Sequence, residues 1–183
     1  TLKKDFNFKK NVMTKAVSPI ENLSGGTAIE KIKRIAEAAG TCFFSTNIKQ
    51  DTQSRPMALQ AVDEAGDLWF LSDVKSHKNK EIGVDPDVEL YFMNNSKYEY
   101  VHIKGKAVAL QDQELIDKYW TGFANAWFDG KEDPDLSVIR VTPTDGYYYE
   151  TKDNKIVAVS KMLFAAVTGN SVEDGGVEGK LDV

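Results

Sequence analysis

The pattern of hydrophobic periodicity predicts a mainly β fold of the all-β or α+β class, a closed antiparallel β-barrel with peripheral helices. Three observations predict it. About six segments alternate with period two and are rich in β-branched and aromatic residues; polar or Gly-containing turns separate them; and helices interrupt this series instead of alternating with strands as they would in a parallel sheet.

Residues 1–26 mix Lys, Asn and Ser with scattered apolar positions and end in the breaker Ser24-Gly25-Gly26, so they read as an N-terminal arm. Ile29, Ile32, Ile35, Ala36 and Ala39 then recur at helical spacing, which predicts a helix over residues 28–39 with Thr27 as N-cap, Glu30 completing a capping box and Gly40 as terminator. The period changes to two at residues 41–48, 56–63 and 67–72, a meander of three strands whose second connection is the short turn Glu64-Ala65-Gly66-Asp67. A short helix over residues 76–84 precedes two more strands, 88–93 and 98–110, with Gly105 bending the longer one. Leu115, Ile116, Tyr119, Trp120, Phe123 and Trp127 predict one helix over residues 113–128, and strands at 137–142 and 146–150 close the series. A helical turn near 162–167 and a Gly-rich acidic tail from Gly169 complete the chain. The expected organisation is an arm (1–26), a barrel domain (27–155) and a C-terminal helix or turn with an acidic flexible tail (156–183).

Composition narrows the function classes. A net charge of −5 argues against a nucleic-acid partner, because neutralising phosphates needs clustered Lys and Arg. No apolar run approaches the length of a membrane span, and no apolar signal core follows Thr1-Leu2-Lys3-Lys4. The single cysteine, Cys42, lies in an apolar run and forms no intrachain disulfide, which suits a reducing cytoplasm. With His77 and His102 as the only histidines and no cluster at metal-ligand spacing, no metal site is expected, and Gly-x-Ser-x-Gly, Gly-x-Gly-x-x-Gly and Walker patterns are missing.

One segment has the chemistry of a phosphate site. In Leu71-Ser72-Asp73-Val74-Lys75-Ser76-His77-Lys78 a strand ends and a helix begins, so unpaired backbone N–H groups stand beside hydroxyl and cationic donors. On this segment alone the plainer reading, Asp73 or Ser76 as a cap with solvated lysines, stands beside it. Arg55 opens the strand Arg55-Pro56-Met57 with a planar fork able to bridge two phosphate oxygens. Pro56 lacks a ladder donor and so belongs on an edge or an irregular position, where a ligand can approach the backbone. No residue stands out as a general acid or base, and His102, within a strand, reads as structural.

In this order the motifs Arg55-Pro56-Met57, Leu68-Trp69-Phe70-Leu71-Ser72, Ser76-His77-Lys78, Val88-Glu89-Leu90, Tyr100 to Ala107, Trp120, Trp127-Phe128-Asp129-Gly130 and Asp133-Pro134 resemble the pyridoxamine phosphate oxidase-like FMN-binding split barrels, most of all their general stress protein branch. The resemblance covers residues 28–150. It implies a homodimer with FMN at the subunit interface and either a flavin carrier or a flavin-dependent oxidoreductase of unassigned substrate, for which a nicotinamide nucleotide is the candidate reductant. Arg55 and Lys78 would hold the FMN phosphate with Ser72, Ser76 and His77 near it. Pro56, Met57 and Leu71 would lie by the flavin, and Tyr100 and Tyr149 match further flavin-contacting positions. Two departures speak against oxidation of a B6 vitamer: Gln60 stands where the oxidase has Lys, and no Arg-x-His follows Tyr149. A flavin carrier or sensor without catalysis, and a barrel that has exchanged FMN for haem or a deazaflavin, are the alternatives the sequence leaves open.

Overall fold

The computed structural model describes residues 19–151 and 175–183, with Leu163 and Val167 between them. Elements run in the order β1 (Leu23–Ser24), α1 (Gly25–Ala39), β2 (Thr41–Thr46), β3 (Gln53–Val62), β4 (Leu68–Asp73), α2 (His77–Val84), β5 (Asp87–Asn94), β6 (Glu99–Leu110), α3 (Gln113–Tyr119), a 3-10 turn (Gly122–Ala126), β7 (Leu136–Thr151) and β8 (Gly176–Asp182). β7, β4, β3, β2, β5 and β6 are hydrogen-bonded in that order, and pairing of β6 with β7 closes them into a six-stranded barrel. Every pairing within it is antiparallel, as the alternating sequence pattern requires.

Alternation fills the barrel from all sides. Phe44, Phe70, Leu90, Phe92, Ile103, Ile139 and Tyr148 point inward into one core, with Phe44 and Phe70 edge to face at 5.3 Å between ring centroids. The helices close its two ends. At the end where β2 begins, α1 lays Ala28, Ile32, Ile35 and Ala36 into the core, while Arg34 pairs with Glu99 and Glu150. At the end where β2 finishes, α2 inserts Ile82. A second cluster lies outside the barrel, where Trp69, Leu71 and Val138 are covered by Ile116, Tyr119 and Ala124. None of the described helices is long and apolar enough to cross a membrane.

Several local expectations are corrected. Ser24, not Thr27, occupies the N-cap of α1 and makes no side-chain cap bond, so no capping box forms; the Thr27 hydroxyl instead donates to the Ser24 carbonyl at 2.8 Å. Gly40 does terminate this helix, at φ 70°, with its N–H on the Ala36 carbonyl. The single helix expected over 113–128 breaks at Trp120, because its backbone turns extended ahead of Gly122 and the chain resumes as a 3-10 turn. The last two strands are one, β7, which bends without ending. Its register with β6 shifts between Lys104 and Gly105, and a Cβ at Gly105 would lie 2.7 Å from the Thr142 carbonyl oxygen. Residues 176–182 are no tail: the pattern Val177, Gly179, Leu181 faces inward and pairs with β7, and β1, from the expected arm, adds in parallel to β8. Residues 1–18 of the arm and 152–174, including most of the helical turn expected at 162–167, lie outside the described residues.

Candidate functional site

β3 and β4 pair only over part of their length, and the candidate residues gather where they part. The ladder between them covers Leu59 to Val62 on β3 and includes a register shift between Leu59 and Ala61. Residues 53–58 pair with β2 alone, which leaves one edge of β3 open. The Leu59 N–H donates to Gly40 in the β2 direction at 2.9 Å. By alternation the amides of Met57 and Arg55 also face β2, whereas positions 56 and 58 face the opening. Pro56 therefore stands where no ladder partner waits for an N–H, which is why a proline is tolerated in the middle of a barrel strand.

Side chains of β3 divide between the faces. Pro56 is exposed, while Met57 packs against the core and Arg55 turns toward α2. The Arg55 guanidinium donates from Nη1 to Thr46 Oγ1 (2.9 Å) and from Nη1 and Nη2 to Glu81 Oε2 (3.2 Å each), and Thr46, fully buried, donates its own proton to the same carboxylate oxygen. Burial works against the Glu81 carboxylate, yet hydrogen bonds from Thr46 and Arg55 and the charges of Arg55 and His77 hold its pKa below the usual range.

Across the opening, β4 runs into α2. Ser76 is the N-cap, accepting from the Asn79 N–H. Beneath it a buried network satisfies itself: Ser72 Oγ donates to Asn79 Oδ1 (2.7 Å), Asn79 Nδ2 donates to Ser137 Oγ (2.9 Å), and Ser137 Oγ donates to the Ser72 carbonyl (2.8 Å). Ser72 is thus committed to locking α2 onto β4 and β7. Leu71 is buried in the outer cluster under α3 and offers nothing to the opening. His77 is exposed, and Lys75 is drawn away to Asp135 at 2.6 Å.

Lys78 differs from the other cations here. It is half-buried, its Nζ meets only the Ser76 hydroxyl at 3.3 Å, and it pairs with no carboxylate among the described residues. Burial first, and then the nearby charge of Arg55, push its pKa down against a weaker opposing pull from Asp73. A cation in this position, next to an arginine and in the first turn of a helix, favours an anion over water.

Tyr100 and Tyr149 lie elsewhere. They are register partners on β6 and β7, and β2 and β5 stand between β6 and the open edge of β3. They belong to two outward rows of mainly aromatic residues: Pro56, Phe43, Tyr91, His102 and Tyr147 are successive cross-strand partners from β3 to β7, with Met93, Tyr100 and Tyr149 forming a parallel row. His102 stacks on Tyr91, with ring centroids 4.4 Å apart and planes 2° apart. Its Nε2 comes within 3.2 Å of Glu89 but without hydrogen-bond alignment. Tyr91 donates to Glu89 at 2.6 Å, and burial together with that carboxylate raises its pKa to about 12.

Arg55, Ser72, Ser76 and Lys78 are therefore brought to one place, Pro56 marks its open edge, and Tyr100 and Tyr149 are not part of it within one chain. Thr46, Asn79, Glu81 and Ser137 are additions that sequence reasoning missed. Asn79 sits in Lys78-Asn79-Lys80, which reads as a solvated helix face, and nothing local signals that Glu81 meets the end of β2.

Comparison with known proteins agrees with this architecture. The family model described as pyridoxamine 5'-phosphate oxidase like matches residues 27–173. The chain is 29% identical over 155 residues to protein bli-3 of Neurospora crassa, covering 76% of this chain and 74% of that protein. It is 36% identical over 81 residues to general stress protein 26 of Bacillus subtilis, covering 43% of this chain and 58% of that one. Among solved structures, the general stress FMN/FAD binding protein of Xanthomonas citri superposes with a TM-score of 0.61 at 20% identity, over 71% of this chain and 93% of that one.

Proposed function

The chain belongs to the pyridoxamine 5'-phosphate oxidase-like family, and on that premise we propose that it is an FMN-binding oxidoreductase of the general stress protein type. The observation that carries this reading is Lys78, a half-buried cation that pairs with no carboxylate among the described residues and lies close enough to Arg55 to feel its charge. A phosphate monoester supplies the charge this lysine lacks, and the first turn of α2 adds backbone donors. Arg55 retains donors for it as well, since its Nε makes no hydrogen bond to a described residue. The open edge of β3 at Pro56 and Ala58 suits a planar ring, whose polar edge would meet the Ala58 N–H, which alternation turns toward the opening. That the similar Xanthomonas citri structure is of a general stress FMN/FAD binding protein supports a flavin; the monophosphate form fits one lysine and one arginine close together.

When bound, a flavin supplies hydride and electron transfer, and the residues here bind, orient and exclude water. Ser72, Ser76 and His77 would surround the phosphate, with Ser72 acting through Asn79 to hold the helix. A homodimer is part of the proposal: the exposed row with Tyr91, Met93 and Tyr149 has the aromatic character of a subunit contact, and Tyr100 and Tyr149 would reach the flavin of a second copy. A nicotinamide nucleotide is the expected reductant. Oxidation of a B6 phosphate is disfavoured by Gln60, which is neutral and tied to the Ala58 carbonyl and to Thr121.

The test is the chromophore of the purified protein. Flavin absorption, release of FMN on denaturation and bleaching by NADH or NADPH under anaerobic conditions are expected. FMN without bleaching by either nucleotide would leave a carrier, and a Soret band or a colourless protein that rejects added FMN would overturn the reading.

A further inference from the structure

We infer that Glu81 is a positioning residue for Arg55, fixing the guanidinium so that its Nε–Nη2 edge is the one presented to a phosphate. This rests on the phosphate reading above. The three side chains form a closed ring: Nη1 bonds Thr46 Oγ1 and Glu81 Oε2, Nη2 bonds the same Oε2, and the Thr46 hydroxyl donates to that oxygen in turn. Thr46 is fully buried at the end of β2, so the ring is anchored to the barrel wall.

A guanidinium carries its N–H donors in one plane. The ring uses both protons of Nη1 and the Nη2 proton that faces Nη1. The remaining pair, on Nε and the outer side of Nη2, is parallel and spaced for two oxygens of one phosphate. Without the ring, the long Arg55 side chain would have to be ordered by the ligand itself, at the ligand's expense in affinity. Glu81 lies on the same helix as Lys78 and three residues after it, so one rigid element carries both the lysine for the anion and the carboxylate that aims the arginine.

Charge and orientation make opposite forecasts, which is what makes the idea testable. A carboxylate near an anion site repels the anion, so if charge alone mattered its removal would tighten binding. Positioning demands the reverse.

The experiment measures FMN and riboflavin binding by fluorescence quenching for the wild type, Glu81→Ala, Glu81→Gln, Arg55→Ala and the Glu81→Ala/Arg55→Ala pair. Glu81→Ala is expected to weaken FMN about tenfold and leave riboflavin unchanged, because the effect passes through the phosphate contact. Glu81→Gln keeps an acceptor oxygen for Arg55 and should stay within about threefold of wild type. In the Arg55→Ala background the Glu81 change should do nothing further. Should Glu81→Ala not fold, Thr46→Val carries the same expectation by removing the anchor of the ring. Unchanged or tighter FMN binding in Glu81→Ala, an equal loss in Glu81→Gln, or an effect that persists without Arg55 overturns the positioning role. If Arg55→Ala itself binds FMN normally, the phosphate reading falls and takes this role with it; a loss in Arg55→Ala with none in Glu81→Ala removes the positioning role alone.

Discussion

At the α2 end of the barrel, polar side chains are buried or half-buried and almost all find partners within the chain, through Ser72, Asn79, Ser137, Arg55, Thr46 and Glu81. On the outer face of β2, β5, β6 and β7, apolar side chains are laid out to solvent: Phe43, Tyr91, Met93 and Tyr149 are each 41–52% exposed. Among the described residues the first region satisfies itself except at Lys78 and the remaining donor edge of Arg55, and the second is largely unsatisfied. The difference teaches where outside molecules belong. A single missing charge calls for a small anion, and a continuous aromatic row calls for another protein surface.

The largest expected effect breaks the self-sufficient side. Asn79→Ala removes the bridge between Ser72 and Ser137 and leaves their buried hydroxyls short of partners, a loss of about 3 kcal/mol in urea unfolding. Tyr149→Ala, on the open face, should change monomer stability by less than about 0.5 kcal/mol. Equal losses would erase the contrast.

Next in size are the cations. Lys78→Ala is expected to weaken FMN by roughly 1–3 kcal/mol, measured by titration. Lys78→Met should in addition raise the melting temperature of the flavin-free protein, since it removes a half-buried charge that pairs with no carboxylate among the described residues. A fall in that temperature would mean that Lys78 is paired after all.

Met93→Lys tests the open face. A charge at Met93, the β5 end of its row, should weaken dimer formation by about tenfold or more in sedimentation equilibrium while leaving the fold intact. An unchanged association constant would contradict the contact proposed at this face and turn attention to Phe123 and Trp127, which are both exposed and in ring contact with each other at 5.0 Å.

The smallest effect is one of pH. The depressed pKa of Lys78 means that the free site loses its charge at a lower pH than an ordinary lysine would, and a bound phosphate favours the charged form. FMN affinity should therefore fall as pH rises toward the usual lysine value of about 10.4, and begin falling below it. Lys78→Ala should flatten that limb; a limb that survives belongs to another group.

The barrel was legible because period-two alternation is local, and it located every strand of the closed barrel. Its closure by β6 and β7 was inferred only as a class, since pairing of distant strands leaves no local mark. β8 escaped notice because Gly176, Gly179 and acidic residues disguise the inward residues Val177 and Leu181 as a tail. The break at Trp120 escaped because the stripe of Tyr119, Trp120, Phe123 and Trp127 continues through it, although only the first two end up packed. In the candidate site, Arg55, Pro56, Ser76 and Lys78 could be read from residue type and position. Glu81 and Asn79 could not, because their roles arise from where α2 docks against β2 and β7.

The most direct test of the account compares FMN with riboflavin, which differ only in the phosphate. Titrated into the wild type and into Lys78→Ala, FMN should bind the wild type at least about tenfold more tightly than riboflavin, with most of that gap gone in the variant. Equal affinities of the wild type for the two flavins would contradict the claim that Arg55 and Lys78 form a phosphate site.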